Sequence, residues 1–169
     1  MSLNVESYID PAFVYRFRSG PDVIRSRADA LREGINCVSL AHIVLAEMFD
    51  YRLPPDLLCT EMYQDREHFR EIPELSEAQA GDLVWFGLQD PPVGFADFVP
   101  QYRDGDLLNW ADFPVKHVAI HTGRHTDDGP LLLHSTHRVG TNAVWPIREF
   151  AEYRQYKKSY GVTRLHMAD

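Results

Sequence analysis

From Cys37 to Phe49 the chain is apolar almost throughout, with Ser39, His42 and Glu47 as the only strongly polar interruptions. That pattern predicts a helix buried on most of its sides, in place of one carrying a single apolar stripe. Asn36 is the N-cap it predicts, and the helix should run to about Tyr51, because Pro54 and Pro55 forbid continuation. Ahead of it, Asp22 can cap a run of good helix formers extending to about Arg32, and Gly34 stops that segment. Residues Tyr8 to Phe17 are aromatic and partly alternating, and Ser19-Gly20-Pro21-Asp22 breaks them with a turn.

Beyond the central helix the period changes. Leu57 to Ile72 fits neither helix nor strand spacing. Pro73 to Asp82 is a polar approach to a turn, and Leu83-Val84-Trp85-Phe86 reads as a short buried strand. Val115 to Thr122 predicts a strand closed by Gly123. A second strand, Pro130 to Thr136, follows the turn Asp127-Asp128-Gly129, so the two form an antiparallel hairpin. Ala143 to Ile147 and Tyr160 to His166 predict two more strands, with Arg148 to Gln155 as a short surface helix between them. Leu88 to Pro114 is a long irregular segment carrying Phe95, Phe98, Tyr102, Trp110 and Phe113. Loops of that length in a compact domain usually serve function or move. Helices first and then a meander of strands make the fold class α+β.

Composition narrows what such a fold can do. A chain of 169 residues, 44% hydrophobic and 12% aromatic, is expected to form one domain over residues 1–169 with a core that needs no staples. Its net charge of −8 excludes a general nucleic-acid or anionic-membrane binder, since both need a positive field. Two cysteines cannot build a disulfide framework and suit a reducing compartment. Met1 to Asp10 lacks a basic stretch followed by an apolar core, and no run approaches the roughly 18 apolar residues of a membrane span. As written, the chain reads as a soluble, cytoplasmic protein, with oligomeric state open.

The candidate chemistry starts at Cys37. A cysteine opening a helix meets the N-terminal amides and macrodipole, which favour a thiolate and offer donors to an oxyanion. The plain alternative is a buried free cysteine. Nucleophilic catalysis also needs a base and a group to orient it. His117 begins one strand of the predicted hairpin and His134 lies on the next, where strands about 4.8 Å apart permit ring-to-ring contact if the register allows. His42 lies about 140° around the helix from Cys37, at about 100° per residue, and reads as structural.

The histidine density also raises metal binding. On a strand, however, His117 and His121 stand about 13 Å apart and cannot share one zinc. Asp104-Gly105-Asp106 lacks the remaining ligands of a calcium loop. Cys59 reads as a buried hydrophobe. No metal and no cofactor is expected.

Three blocks together resemble the NlpC/P60 superfamily of papain-like cysteine peptidases and amidases. Gly34-Ile35-Asn36-Cys37-Val38-Ser39-Leu40 resembles the nucleophile block, in which an Asp-Cys-Ser-Gly-type sequence opens the central helix. Ala80-Gly81-Asp82-Leu83-Val84-Trp85-Phe86 is similar to the family's Pro-Gly-Asp-Leu-Val-Phe-Phe strand. His117-Val118-Ala119-Ile120-His121-Thr122-Gly123 is similar to its His-Val-Gly-Ile-Tyr-x-Gly strand, and Leu132-Leu133-His134-Ser135 to the strand holding the third polar residue.

The resemblance covers Tyr15 to Ile147. It implies a papain-like fold with the nucleophile helix packed on a small antiparallel sheet, and a catalytic Cys37–His117–His134 triad. It further implies amide hydrolysis in cell-wall, peptidoglycan-type peptides with γ-D-glutamyl linkages, so that the partner is a peptide or muropeptide-like substrate. Tyr15, Asn36, Ser39 and Trp110 are the residues expected to contact that substrate, Tyr15 as the counterpart of an upstream family tyrosine. Asn36 stands where the family has Asp, and Val38-Ser39 where it has Ser-Gly. A thiol acyltransferase or thioesterase, and a non-catalytic protein binding through the same cleft, are the alternatives.

Overall fold

The computed structural model of the chain describes residues 3–88, 90, 101–104, 106–109 and 114–168. Four α-helices lie among them: α1 (Arg27–Glu33), α2 (Cys37–Phe49), α3 (Cys59–Gln64) and α4 (Ile147–Phe150). Strands β1 (Phe69–Ile72), β2 (Leu83–Gly87), β5 (Val115–Thr126), β6 (Gly129–Thr136), β7 (Thr141–Pro146) and β8 (Lys158–Leu165) form an antiparallel sheet in the order β1-β8-β2-β5-β6-β7. Two short strands, β3 (Tyr102–Arg103) and β4 (Asp106–Leu107), pair apart from it. The α+β class therefore holds. No helix among the described residues is long and apolar enough to cross a membrane.

The sheet is not a plain meander. The last strand, β8, returns between β1 and β2, so the C-terminal segment closes the sheet internally. Two buried polar links fix it there. Arg164 donates from Nε and Nη2 to the Asp82 carboxylate at 2.7 Å each, and Trp85 Nε1–H donates to Thr163 Oγ1 at 2.9 Å. A buried charge is tolerated only when paired and hydrogen-bonded, and the Arg fork meets both oxygens of Asp82.

Each face of the sheet buries its own cluster. Leu83, Trp85, Val118, Ile120 and Leu133 pack with Leu40, Ala41, Val44 and Leu45 of α2, which explains why that helix is apolar nearly all round. Val84, Phe86, Ala119 and Leu132 alternate with them on the other face and pack with Trp145, Phe150 and Tyr156. Strand alternation thus produces two cores from one sequence pattern.

Several boundaries differ from the sequence expectation for local reasons. α1 begins at Arg27, not Asp22, because Ser26 Oγ accepts the Asp29 amide at 3.1 Å while residues 20–24 are held in a turn by amides returning to Gly20. Gly34 ends it as expected, at φ +95°, where a Cβ would also lie 2.4 Å from the Arg16 side chain. α2 stops at Phe49, since Asp50 adopts a left-handed conformation. The unassigned stretch Leu57 to Ile72 holds α3 and β1, and β5 continues past Gly123 to Thr126 through a register shift.

The segment expected as a surface helix over Arg148 to Gln155 is α4 followed by a separate 3-10 turn, Arg154–Tyr156. It lies at the surface, with Arg148, Ala151, Glu152 and Arg154 exposed, while Phe150 and the following Tyr156 are buried against the sheet.

Candidate active site

Asn36 organises the start of α2. Its Oδ1 accepts the amides of Val38 and Ser39 at 3.1 and 2.9 Å, and Ser39 Oγ accepts the Asn36 amide at 3.0 Å, closing a capping box. The other side of the same amide group donates from Nδ2 to the Phe17 carbonyl at 2.9 Å. An aspartate could make the first two bonds but not the last, which gives the asparagine a physical reason. Ser39 is wholly buried in this box and does not line the cleft, whereas Asn36 does. Val38, in place of a small polar residue, packs into the core from the first turn of α2 and also borders the cleft.

The segment around Tyr15 is brought to the start of α2 by backbone pairing. Tyr15 bridges Ile35 in parallel: Arg16 N–H donates to Ile35 O, Ile35 N–H donates to Val14 O, and Tyr15 N–H reaches Gly140 O. A tyrosine 22 positions upstream in sequence is thereby held two residues from the turn that carries Cys37.

Cys37 is half-buried and faces the backbone amides of Val118, Val38 and its own N–H. Those amides favour the thiolate, as expected for a helix start. Burial nevertheless dominates and pushes the thiol up to about 11, so at neutral pH it is protonated. The helix terminus alone does not make this cysteine a standing anion.

His117 Nε2 and His134 Nδ1 lie 2.8 Å apart, with the ring planes 79° to one another. β5 delivers His117 through a bulge: Phe86 pairs with His117 but Gly87 pairs with Val115, so one extra residue, Lys116, is accommodated just before the histidine. Gly87 permits this, because a Cβ there would stand 2.3 Å from the Pro114 carbonyl. Burial, and then the nearby His137, holds His117 down to about 3; burial holds His134 well below the ordinary range. Both rings are neutral at pH 7. Among the described residues the hydrogen bond to His134 is the one the His117 ring makes, and none joins it to the Cys37 sulfur.

Aromatic rings enclose this dyad. Tyr156 lies against His117 with centroids 4.3 Å apart and planes at 30°, while Trp145 and Phe150 lie 4.3 and 4.6 Å from the His134 ring centre. The enclosure constrains the protons. For His117 to offer a bare Nδ1, its proton must sit on Nε2 and be donated to His134 Nδ1, which puts the second proton on His134 Nε2. That atom is buried without a polar partner, among the rings of Trp145 and Phe150.

Cys37 and His117 line one cleft of about 920 Å³. Tyr15 and Asn36 line it too, while Trp110 lies outside the described residues. His134 stands behind His117 and does not reach the cleft. His42, read as structural, is buried and hydrogen-bonded from Nε2 to the Leu57 carbonyl at 2.8 Å. The sequence reading missed His137 and Tyr156, and gave Cys59 no place at the cleft, yet all three line it. Phe150, Tyr153 and Tyr156 recur at three-residue spacing, a signal of a buried face that the charges around them obscured. The chain matches no family model and no curated protein.

Proposed function

We propose that this protein is a cysteine hydrolase of the NlpC/P60 type that cleaves an amide bond through a Cys37 acyl-enzyme. The observation that carries the reading is the His117–His134 hydrogen bond of 2.8 Å behind a cleft that also receives a cysteine at a helix start. A nucleophile, a base and an orienting group in that sequence are what thiol acyl transfer requires. His117 takes the Cys37 proton on Nδ1 as sulfur attacks the carbonyl, returns it to the leaving amine, and then deprotonates the water that cleaves the thioester. His134 accepts from His117 Nε2 throughout and stabilises the imidazolium that forms. The Cys37 amide supplies one donor to the oxyanion.

Because thiol and imidazole are both neutral at rest, proton transfer accompanies attack and does not precede it. The substrate class, peptidoglycan-type peptides with a γ-D-glutamyl linkage, comes from the resemblance of the three sequence blocks. Incubation with such peptides, with products followed by mass spectrometry, tests the reading: wild type yields two fragments and Cys37→Ala yields none. A single equivalent of released amine fragment per wild-type protein, together with a stable acyl adduct on Cys37 that an added amine releases, would favour the acyltransferase instead. Equal cleavage by wild type and Cys37→Ala would sink the thiol mechanism altogether.

A further inference from the structure

Tyr156 lies in the cleft with its ring on His117, and its hydroxyl is 2.7 Å from Thr136 Oγ1. Either oxygen could donate, so the proton count around Thr136 decides. Thr136 is 1% exposed, and its Oγ1 already accepts the Arg138 amide at 3.2 Å. A threonine hydroxyl carries one proton, and the Tyr156 oxygen is the one acceptor near it among the described residues. If Tyr156 donated, the Thr136 proton would be buried away from the cleft without an acceptor, whereas Tyr156, though itself 3% exposed, borders the cleft. Thr136 therefore donates to Tyr156, and the Tyr156 proton is left for the cleft.

We propose that Tyr156 is a catalytic residue of this site, its hydroxyl donating to the oxyanion that forms when Cys37 attacks a carbonyl. The assignment rests on the thiol mechanism above and adds a donor which the three sequence blocks do not contain. Two features support it. Tyr156 borders the same cleft as Cys37 and His117, and burial above all pushes its phenol up to about 12, so the group remains a donor at any working pH. A second phenol, Tyr15, lines the same cleft and is likewise pushed upward, first by burial.

Two reagents separate donation to an oxyanion from any effect on the thiol. With p-nitrophenyl acetate, the sulfur–acyl bond forms, p-nitrophenolate leaves and the thiol proton passes to His117, through an oxyanion. Iodoacetamide alkylates the same sulfur with loss of iodide and forms no oxyanion. Tyr156→Phe keeps the ring on His117 and removes the donor. The expected result is Cys37 acylation slowed about tenfold or more, with alkylation within about twofold of wild type.

If Tyr156→Phe melts far below wild type, Tyr156→Phe combined with Thr136→Val removes both partners of the buried bond and serves in its place. Equal slowing of both reactions, or no slowing of either, overturns the donor role while leaving the thiol mechanism standing. Alkylation of wild-type Cys37 without any Cys37-dependent acylation overturns the thiol mechanism itself, and the Tyr156 assignment with it.

Discussion

His134 Nδ1 lies 2.8 Å from His117 Nε2, and the far nitrogen of His134 meets only aromatic rings. Among the described residues the pair ends there: one hydrogen bond joins the rings, and the far nitrogen is buried without a polar partner. In the proposed mechanism His134 orients and polarises His117.

Loss of His134 should damage catalysis without displacing the thiol. His134→Leu fills the aromatic enclosure with a group of similar breadth and frees His117 to rotate and to change tautomer. Acylation of Cys37 by p-nitrophenyl acetate is expected to fall about 10²-fold. His134→Asn, which can still accept from His117 Nε2, should recover part of that loss. Equal rates for all three proteins would remove His134 from the mechanism.

Burial raises the Cys37 thiol to about 11 and lowers His117 to about 3, so the neutral pair is the stable form between those limits. The thiolate fraction therefore climbs through the whole neutral range. Iodoacetamide alkylation of Cys37, measured from about pH 5 to about pH 10, should rise continuously and reach no plateau. A plateau below about pH 8 would mean a preformed thiolate–imidazolium pair.

Much of this arrangement was legible in the chain because it depends on short-range rules. Asn36 as cap, Gly34 as stop, and the two strands carrying His117 and His134 follow from capping and alternation. The sulfur's actual acidity was not legible, since it depends on how far packing removes water from a helix start whose amides pull the other way. Nor was the placement of β8 between β1 and β2, which depends on the Asp82–Arg164 pair joining residues 82 positions apart. Tyr156 was hidden for a related reason: Glu149, Glu152, Arg154 and Lys157 give its segment a solvated look, while Phe150, Tyr153 and Tyr156 form the cover of the histidine pair.

The buried histidines should make the fold acid-sensitive well above the carboxylate range. His42 is held down to about 4 and His117 to about 3, in both cases chiefly by burial. In the unfolded chain each titrates near its ordinary value of about 6.5, so below that pH the unfolded state binds more protons than the folded one. Stability contributed by these neutral rings is complete above about 6.5 and falls as pH drops toward the folded values, by about 1.4 kcal/mol per pH unit for each ring. Urea unfolding at about pH 7 and about pH 5 checks this. His42→Gln, which cannot titrate, should show a shallower loss between the two by about 2 kcal/mol; an unchanged slope would mean that His42 protonates without unfolding the chain.

Asn36 offers the sharpest separation of fold from reactivity. Asn36→Ala removes the acceptor for Val38 and Ser39 and the donor to Phe17, and should cost about 1–2 kcal/mol in unfolding free energy with the Cys37 thiol titrating much as before. Asn36→Asp retains the cap, since aspartate is as good an N-cap as asparagine and its charge suits a helix start. It replaces the Nδ2 donor with an oxygen turned toward the Phe17 carbonyl, however, and puts a negative charge on the residue next to Cys37. A like charge disfavours the thiolate, so alkylation at fixed pH should slow by about threefold to tenfold while the melting temperature changes little. The two variants are thus expected to fail in opposite ways, Ala in stability and Asp in reactivity. Were Asn36→Asp to react faster than wild type, the carboxylate would have to be acting through the Phe17 segment and not through its charge at the sulfur.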